Sequence, residues 1–151
     1  MFLKRSFLFQ GMDQDFLDAV AEVMLETVFE EGDLIFSQGT RAEYFYILQE
    51  GRIRLSVGQL CSVATLASKQ GEVFGWSSLL GNDQYTATVE CLAPTKVLRV
   101  RGAEIQRVLE EHPKCGLVFF RRVARIIRRR LIDSYRILLT YDPERTPHSY
   151  G

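Results

Sequence analysis

The chain has 151 residues, 46% of them apolar and 25% charged, and its nineteen Lys and Arg balance nineteen Asp and Glu. That describes about one average folded domain and excludes a disordered tail, a collagen-like rod and a disulfide miniprotein. The longest charge-free stretch, Leu55 to Ser68, is fourteen residues, short of the roughly 20 a helix needs to cross a bilayer.

The N-terminal segment, residues 1–11, starts positive but has a short apolar run and no small-residue cleavage site, so it does not read as a signal peptide. From Gln14 to Leu25 the residues Phe16, Leu17, Val20, Val23 and Met24 make a helical stripe, with Asp13 as its N-cap. The period then changes to two. Thr27–Phe29, Leu34–Phe36, Tyr44–Leu48 and Arg52–Val57 read as strands, separated by Gly32, Gly39, Gly51, Gly58 and Gly71 in turns that favour positive φ. Cys61–Leu66, Tyr85–Cys91 and Lys96–Val100 add further strand-like runs. Many short strands with regular turns predict an antiparallel sandwich or barrel. Ala103–Glu111 is a short helix stopped near Pro113, and a long helix follows from about Cys115 to Tyr141. The expected organisation is a β-unit with flanking helices over 12–112, a long helix over 113–141 and a loose tail over 142–151.

Charge is unevenly placed. Residues 1–60 carry a balance of −5 and residues 101–151 a balance of +5, with seven arginines between Arg121 and Arg136. Such a helix is either a solvated face or a surface for nucleic acid or anionic membrane. Within it Leu117, Phe120, Ala124, Ile127, Leu131, Ser134, Leu138 and Tyr141 repeat at 3-4-3-4 spacing, a coiled-coil seam. Phe119, Val123, Ile126, Ile132, Tyr135 and Leu139 lie on adjacent faces. The expectation is that one side packs on the β-unit and the seam pairs two copies through Phe120, Ala124, Ile127, Leu131 and Leu138.

Catalytic and metal chemistry find little support. The three cysteines, Cys61, Cys91 and Cys115, are scattered, with no Cys-x-x-Cys pair, and read as reduced thiols of a cytoplasmic protein. His112 and His148, the two histidines, have no nucleophile or carboxylate at a recognised spacing. No phosphate loop or nucleophile elbow is present. The chain is expected not to be an enzyme and to hold no metal.

The informative segment is Gly71-Glu72-Val73-Phe74-Gly75-Trp76-Ser77-Ser78-Leu79-Leu80-Gly81-Asn82-Asp83-Gln84-Tyr85-Thr86-Ala87-Thr88-Val89. It offers a glycine turn, a short helix near Ser77–Leu80 and then a strand. Its helix start has either free N–H groups for an anion, or a plain cap from Ser77 or Ser78. The segment resembles the phosphate-binding cassette of the cyclic-nucleotide-binding domain family, shared by the catabolite activator protein and protein kinase A regulatory subunits. There the pattern is Phe-Gly-Glu-x-Ala-Leu, a short spacer, then Arg-Ala-Ala-Thr/Ser-Val. The order helix, barrel, short helix, long helix also matches, over about residues 8–140.

The resemblance implies a mostly-β α+β fold. It would be an eight-stranded antiparallel, jelly-roll-like β-roll with an N-terminal helix, a short C-terminal helix and a long dimerisation helix. It implies a ligand site at Phe74, Gly75, Trp76, Ser77, Ser78, Tyr85, Thr86 and Thr88. The family's ribose-binding acid falls on Trp76 and its phosphate-binding arginine on Tyr85. Tyrosine cannot replace a bidentate guanidinium, and that loss is worth about 1.5–3 kcal/mol, one to two decades of affinity. Arg52, Arg54 and Arg125 are candidates to compensate. Trp76 and Tyr85 either fill the pocket or line it for an apolar or aromatic effector.

The expected function is a non-catalytic, ligand-sensing regulatory module with no cofactor, whose effector is a cyclic nucleotide or another small anionic or aromatic molecule. The alternatives are genuine cyclic AMP or GMP binding, and a ligand-free protein-interaction or basic-helix adaptor. Expected partners are a second copy through the long helix, a small-molecule effector and an unidentified protein. The ten residues after Tyr141 leave no room for a helix-turn-helix, so sequence-specific DNA binding by this chain alone is not expected.

Overall fold

The computed structural model describes residues 2–58, 70–81 and 83–141. In chain order these form α1 (Phe2–Arg5), α2 (Gln14–Val23), β1 (Leu25–Phe29), β2 (Leu34–Phe36), β3 (Tyr44–Glu50), β4 (Ile53–Ser56) and β5 (Val73–Phe74). A single 3-10 turn (Trp76–Leu79), β6 (Thr88–Cys91), β7 (Thr95–Arg101), α3 (Gly102–Glu111) and α4 (Pro113–Tyr141) complete them. Two antiparallel sheets face one another, one ordered β1-β7-β3-β5 and the other β2-β6-β4. Seven strands fall within the described residues. The run Cys61–Leu66, expected as a strand, and the expected loose tail 142–151 lie outside them.

β3 explains why Tyr44–Leu48 reads as a continuous apolar run. Phe45 and Ile47 face the helices, while Tyr46 and Leu48 face the interior of the roll, so both faces are buried. The interior also holds Ile53, Phe74, Val89, Cys91 and Val97. Burial pushes the Cys91 thiol pKa up, as in an inert core thiol. On the other side of the four-stranded sheet, α2, α3 and α4 share one core, built on Phe16, Val20, Ile105, Val108, Phe119 and Val123.

The N-terminal segment belongs to that same core. Leu8 and Phe9 are fully buried, and the Phe9 ring lies 5.7 Å from Phe119 of α4. Arg122 of α4 donates from one Nη1 to the carbonyls of Phe7, Leu8 and Gln10. These are acceptors that a tight turn leaves without backbone donors.

Two local expectations are met with added detail and one, the strand start at Tyr85, is corrected. Asp13 sits at the N-cap of α2 but makes no side-chain cap bond; its carbonyl accepts from Leu17 N–H. Tyr85 precedes the strand it was expected to open, since β6 begins at Thr88. α3 stops beside Pro113, as expected, because a proline disfavours helical backbone at the residue before it. That helix ends at Glu111, His112 breaks it, and Pro113 opens α4, where a missing N–H costs nothing and the fixed φ suits a helix start. The five turn glycines do all take positive φ.

Candidate functional site

β5 delivers the cassette residues. Phe74 ends the strand buried in the roll, and Gly75 follows at φ 77° in the left-handed region. A side chain there would meet the Tyr44 carbonyl at 2.9 Å and the Tyr46 ring at 3.1 Å. Both the backbone angle and the contact therefore require glycine. The 3-10 turn Trp76–Leu79 is capped by Gly75, not by serine. Ser77 and Ser78 are buried, and the Ser78 hydroxyl donates back to the Gly75 carbonyl at 2.8 Å. The expectation that Ser77 or Ser78 caps this turn is thus corrected, because the serines sit inside it.

Tyr85 occupies the position matched to the family's phosphate-binding arginine, and it points inward. It is 5% exposed. Its ring stacks on Phe36, centroids 3.7 Å apart and planes 11° from parallel. Its hydroxyl donates to the Tyr44 carbonyl at 2.7 Å and accepts from the Tyr44 N–H at 3.0 Å. Tyr46 stacks on Phe74 at 5.1 Å and lies 5.8 Å from Phe36, giving a continuous aromatic cluster. Desolvation raises the pKa values of the Tyr46 and Tyr85 phenols above the ordinary tyrosine range. For Tyr85 the bond to Tyr44 opposes that rise.

Thr88 is half-buried and its hydroxyl accepts the Gln38 N–H at 2.9 Å, so that oxygen is engaged within the chain. Thr86 is exposed. Of the eight residues expected at the site, Phe74, Gly75, Trp76, Ser77 and Ser78 form one continuous element. Tyr85 joins it through Phe36, Tyr44 and Tyr46, while Thr86 and Thr88 stand apart from the cluster.

The arginines expected to compensate do not reach this cluster. Arg54 pairs with Glu90 across β4 and β6, Arg52 is exposed, and Arg125 is exposed on α4. Arg99 and Arg101 of β7 do reach the cluster, their guanidinium carbons 4.6 and 5.6 Å from the Tyr44 ring centroid, and the cation that reaches Trp76 is Arg130. Its Nη2 donates to the Val73 carbonyl and lies 3.9 Å from the Glu72 carboxylate. Its guanidinium carbon sits 4.5 Å from the Trp76 ring centroid, a cation–π arrangement. Burial lowers the guanidinium pKa to about 10, with Glu72 opposing, so it stays charged at neutral pH. In the sequence Arg130 reads as one of a basic run. Its phase was the available signal, because Phe119, Val123, Ile126 and Arg130 follow one another at 4-3-4 spacing on the buried face.

With this geometry in place, comparison with known proteins assigns the class. Residues 26–112 match the family described as Cyclic nucleotide-binding domain. The N-terminal domain of a transcriptional regulator from Streptomyces coelicolor A3(2) superposes with a TM-score of 0.67 at 27% identity, covering 85% of this chain and 94% of that one. The Thermus thermophilus catabolite activator protein gives 0.68 at 25% identity, covering 87% and 61%. A Drosophila melanogaster cGMP-dependent protein kinase, isozyme 2 forms cD5/T2, is 31% identical over 93 residues, 60% of this chain and 10% of the kinase. The chain belongs to the cyclic nucleotide-binding domain family and has its mostly-β, jelly-roll-like fold with flanking helices. It therefore carries a regulatory domain, and it spans about a tenth of the length of the curated kinase it matches. Among the described residues no helix is long and apolar enough to cross a membrane.

Proposed function

We propose that this chain is a non-catalytic regulatory module that works without the nucleotide clamp of its family. The carrying observation is Tyr85. Its ring is stacked on Phe36 and its hydroxyl is satisfied by the Tyr44 backbone, so the side chain belongs to the interior and offers no charge to a phosphate. Trp76 likewise offers a ring where the family pattern has a carboxylate, and that ring is covered by Arg130. A cyclic nucleotide would lose its guanidinium and carboxylate partners at once. The output surface in this reading is α4, whose seam residues Phe120, Ile127 and Leu131 are 42%, 39% and 49% exposed, and whose partner is a second copy of the chain.

Isothermal titration of the wild-type chain with cyclic AMP and cyclic GMP tests the reading. The expected outcome is no saturable heat below millimolar nucleotide. Saturable binding of either nucleotide at micromolar concentration overturns it.

A further inference from the structure

The contacts of Arg130 are concentrated on one short stretch. Its three partners, Glu72, Val73 and Trp76, lie within five residues of one another, spanning the start of β5 and the first position of the 3-10 turn. One side chain of α4 thus grips the cassette at its strand and its turn together. We propose that Arg130 and Trp76 form a latch, built from the chain's own residues, that fixes the position of α4 on the roll. The proposal rests on the reading above that Trp76 has left the nucleotide-binding role.

Two physical arguments support a latch over plain packing. The stripe Phe119–Val123–Ile126 would continue most cheaply with an aliphatic residue. A guanidinium at the next position must be desolvated, and its Nη1 is buried without a hydrogen-bond partner among the described residues. That arrangement adds little net stability but is easy to release. Once α4 moves away, water satisfies Arg130 and Glu72 at both ends, whereas separating two apolar surfaces would expose them. The second argument is position. Ile127 and Leu131, both on the outward seam, flank Arg130 on the same helix, so releasing the latch changes how the seam is presented.

Trp76 is the single tryptophan of the chain, so its emission reports on this one site. Three variants, Arg130→Ala, Arg130→Met and Trp76→Phe, test the latch without any nucleotide. In Arg130→Ala the emission is expected to move to longer wavelength as water reaches the indole. In Arg130→Met amide exchange over residues 72–79 is expected to quicken by about tenfold, while the melting temperature stays level or rises. In Trp76→Phe, which preserves an apolar ring, exchange is expected to quicken over residues 127–133 of α4. Unchanged emission in Arg130→Ala overturns the latch. So does a lower melting temperature in Arg130→Met with exchange quickened evenly along the chain, which would make Arg130 an ordinary packing residue. Nucleotide titration decides the functional reading separately, so the two can fail independently.

Discussion

At the scale of single residues, Tyr85 and Arg130 exchange the roles their types suggest. The phenol is an interior strut, and the charged side chain reaches the cassette from a distant helix. The strut can be tested by removing only its hydroxyl. Tyr85→Phe leaves the ring on Phe36 but deprives the Tyr44 N–H and carbonyl of their partner. The expected loss is about 1–3 kcal/mol, the usual cost of stranding buried polar groups, read from the midpoint of urea unfolding. An unchanged midpoint would show that water replaces the hydroxyl there. The substitutions at Trp76 and Tyr85 were legible because a short motif fixes the register around them. The filling of the site by Tyr85 was not, because the stacking partner Phe36 lies 49 positions away in β2. Arg130 was hidden for a related reason. In a run of seven arginines only helical phase separates Arg122 and Arg130, which turn inward, from exposed neighbours such as Arg121 and Arg129.

At the scale of elements, the junction of the cassette with α3 leaves no room for a side chain at Gly102. A Cβ added to Gly102 would stand 1.9 Å from the Ser78 carbonyl oxygen. Alanine is ordinarily the better helix former, so propensity alone predicts a gain from Gly102→Ala. The clash reverses the sign, because the Ser78 carbonyl is backbone and the turn must be displaced. The expected destabilisation is about 1–3 kcal/mol, a fall of several degrees in the melting temperature of a domain this size. A higher melting temperature would mean that α3 moves away from the turn at little cost. Most elements were readable from period and turn residues: α2 and β2 begin where their patterns do. The ends were less so. Gly102 starts α3, one residue before the expected Ala103, because the chain must pass against Ser78, and Pro113 starts α4 two residues before the expected Cys115. The first is decided by what the backbone packs against, which local sequence does not encode, and the second by proline's own geometry.

At the scale of the whole molecule, one core runs from the N-terminal segment along the helix side of the four-stranded sheet to α4, and a second fills the roll. Phe9 touches both Phe16 and Phe119, and Arg122 ties the N-terminal carbonyls to α4. The adjacent faces expected to pack inward divide accordingly. Phe119, Val123 and Ile126 join the core, while Tyr135 and Leu139 are exposed. Among the described side chains the seam residues Leu117, Phe120, Ala124, Ile127 and Leu131 are left outward, Leu138 lying outside that description, and self-association through them is the molecular-scale prediction. The wild-type chain is expected to run as a dimer in light scattering coupled to gel filtration, and Ile127→Glu or Leu131→Glu to run as a monomer with the roll intact. Equal masses for all three would remove the seam as the contact between copies.

The length of α4 carries one more consequence. Its 29 residues extend about 43 Å at 1.5 Å each, and past Arg130 its described polar contacts are internal, Ser134 to the Arg130 carbonyl and Arg136 to Asp133. Three turns of helix standing alone in water sit near the coil equilibrium. Those turns would therefore be stiff or frayed according to how much of the protein is present, making dilution itself a way to unwind the last turns of α4.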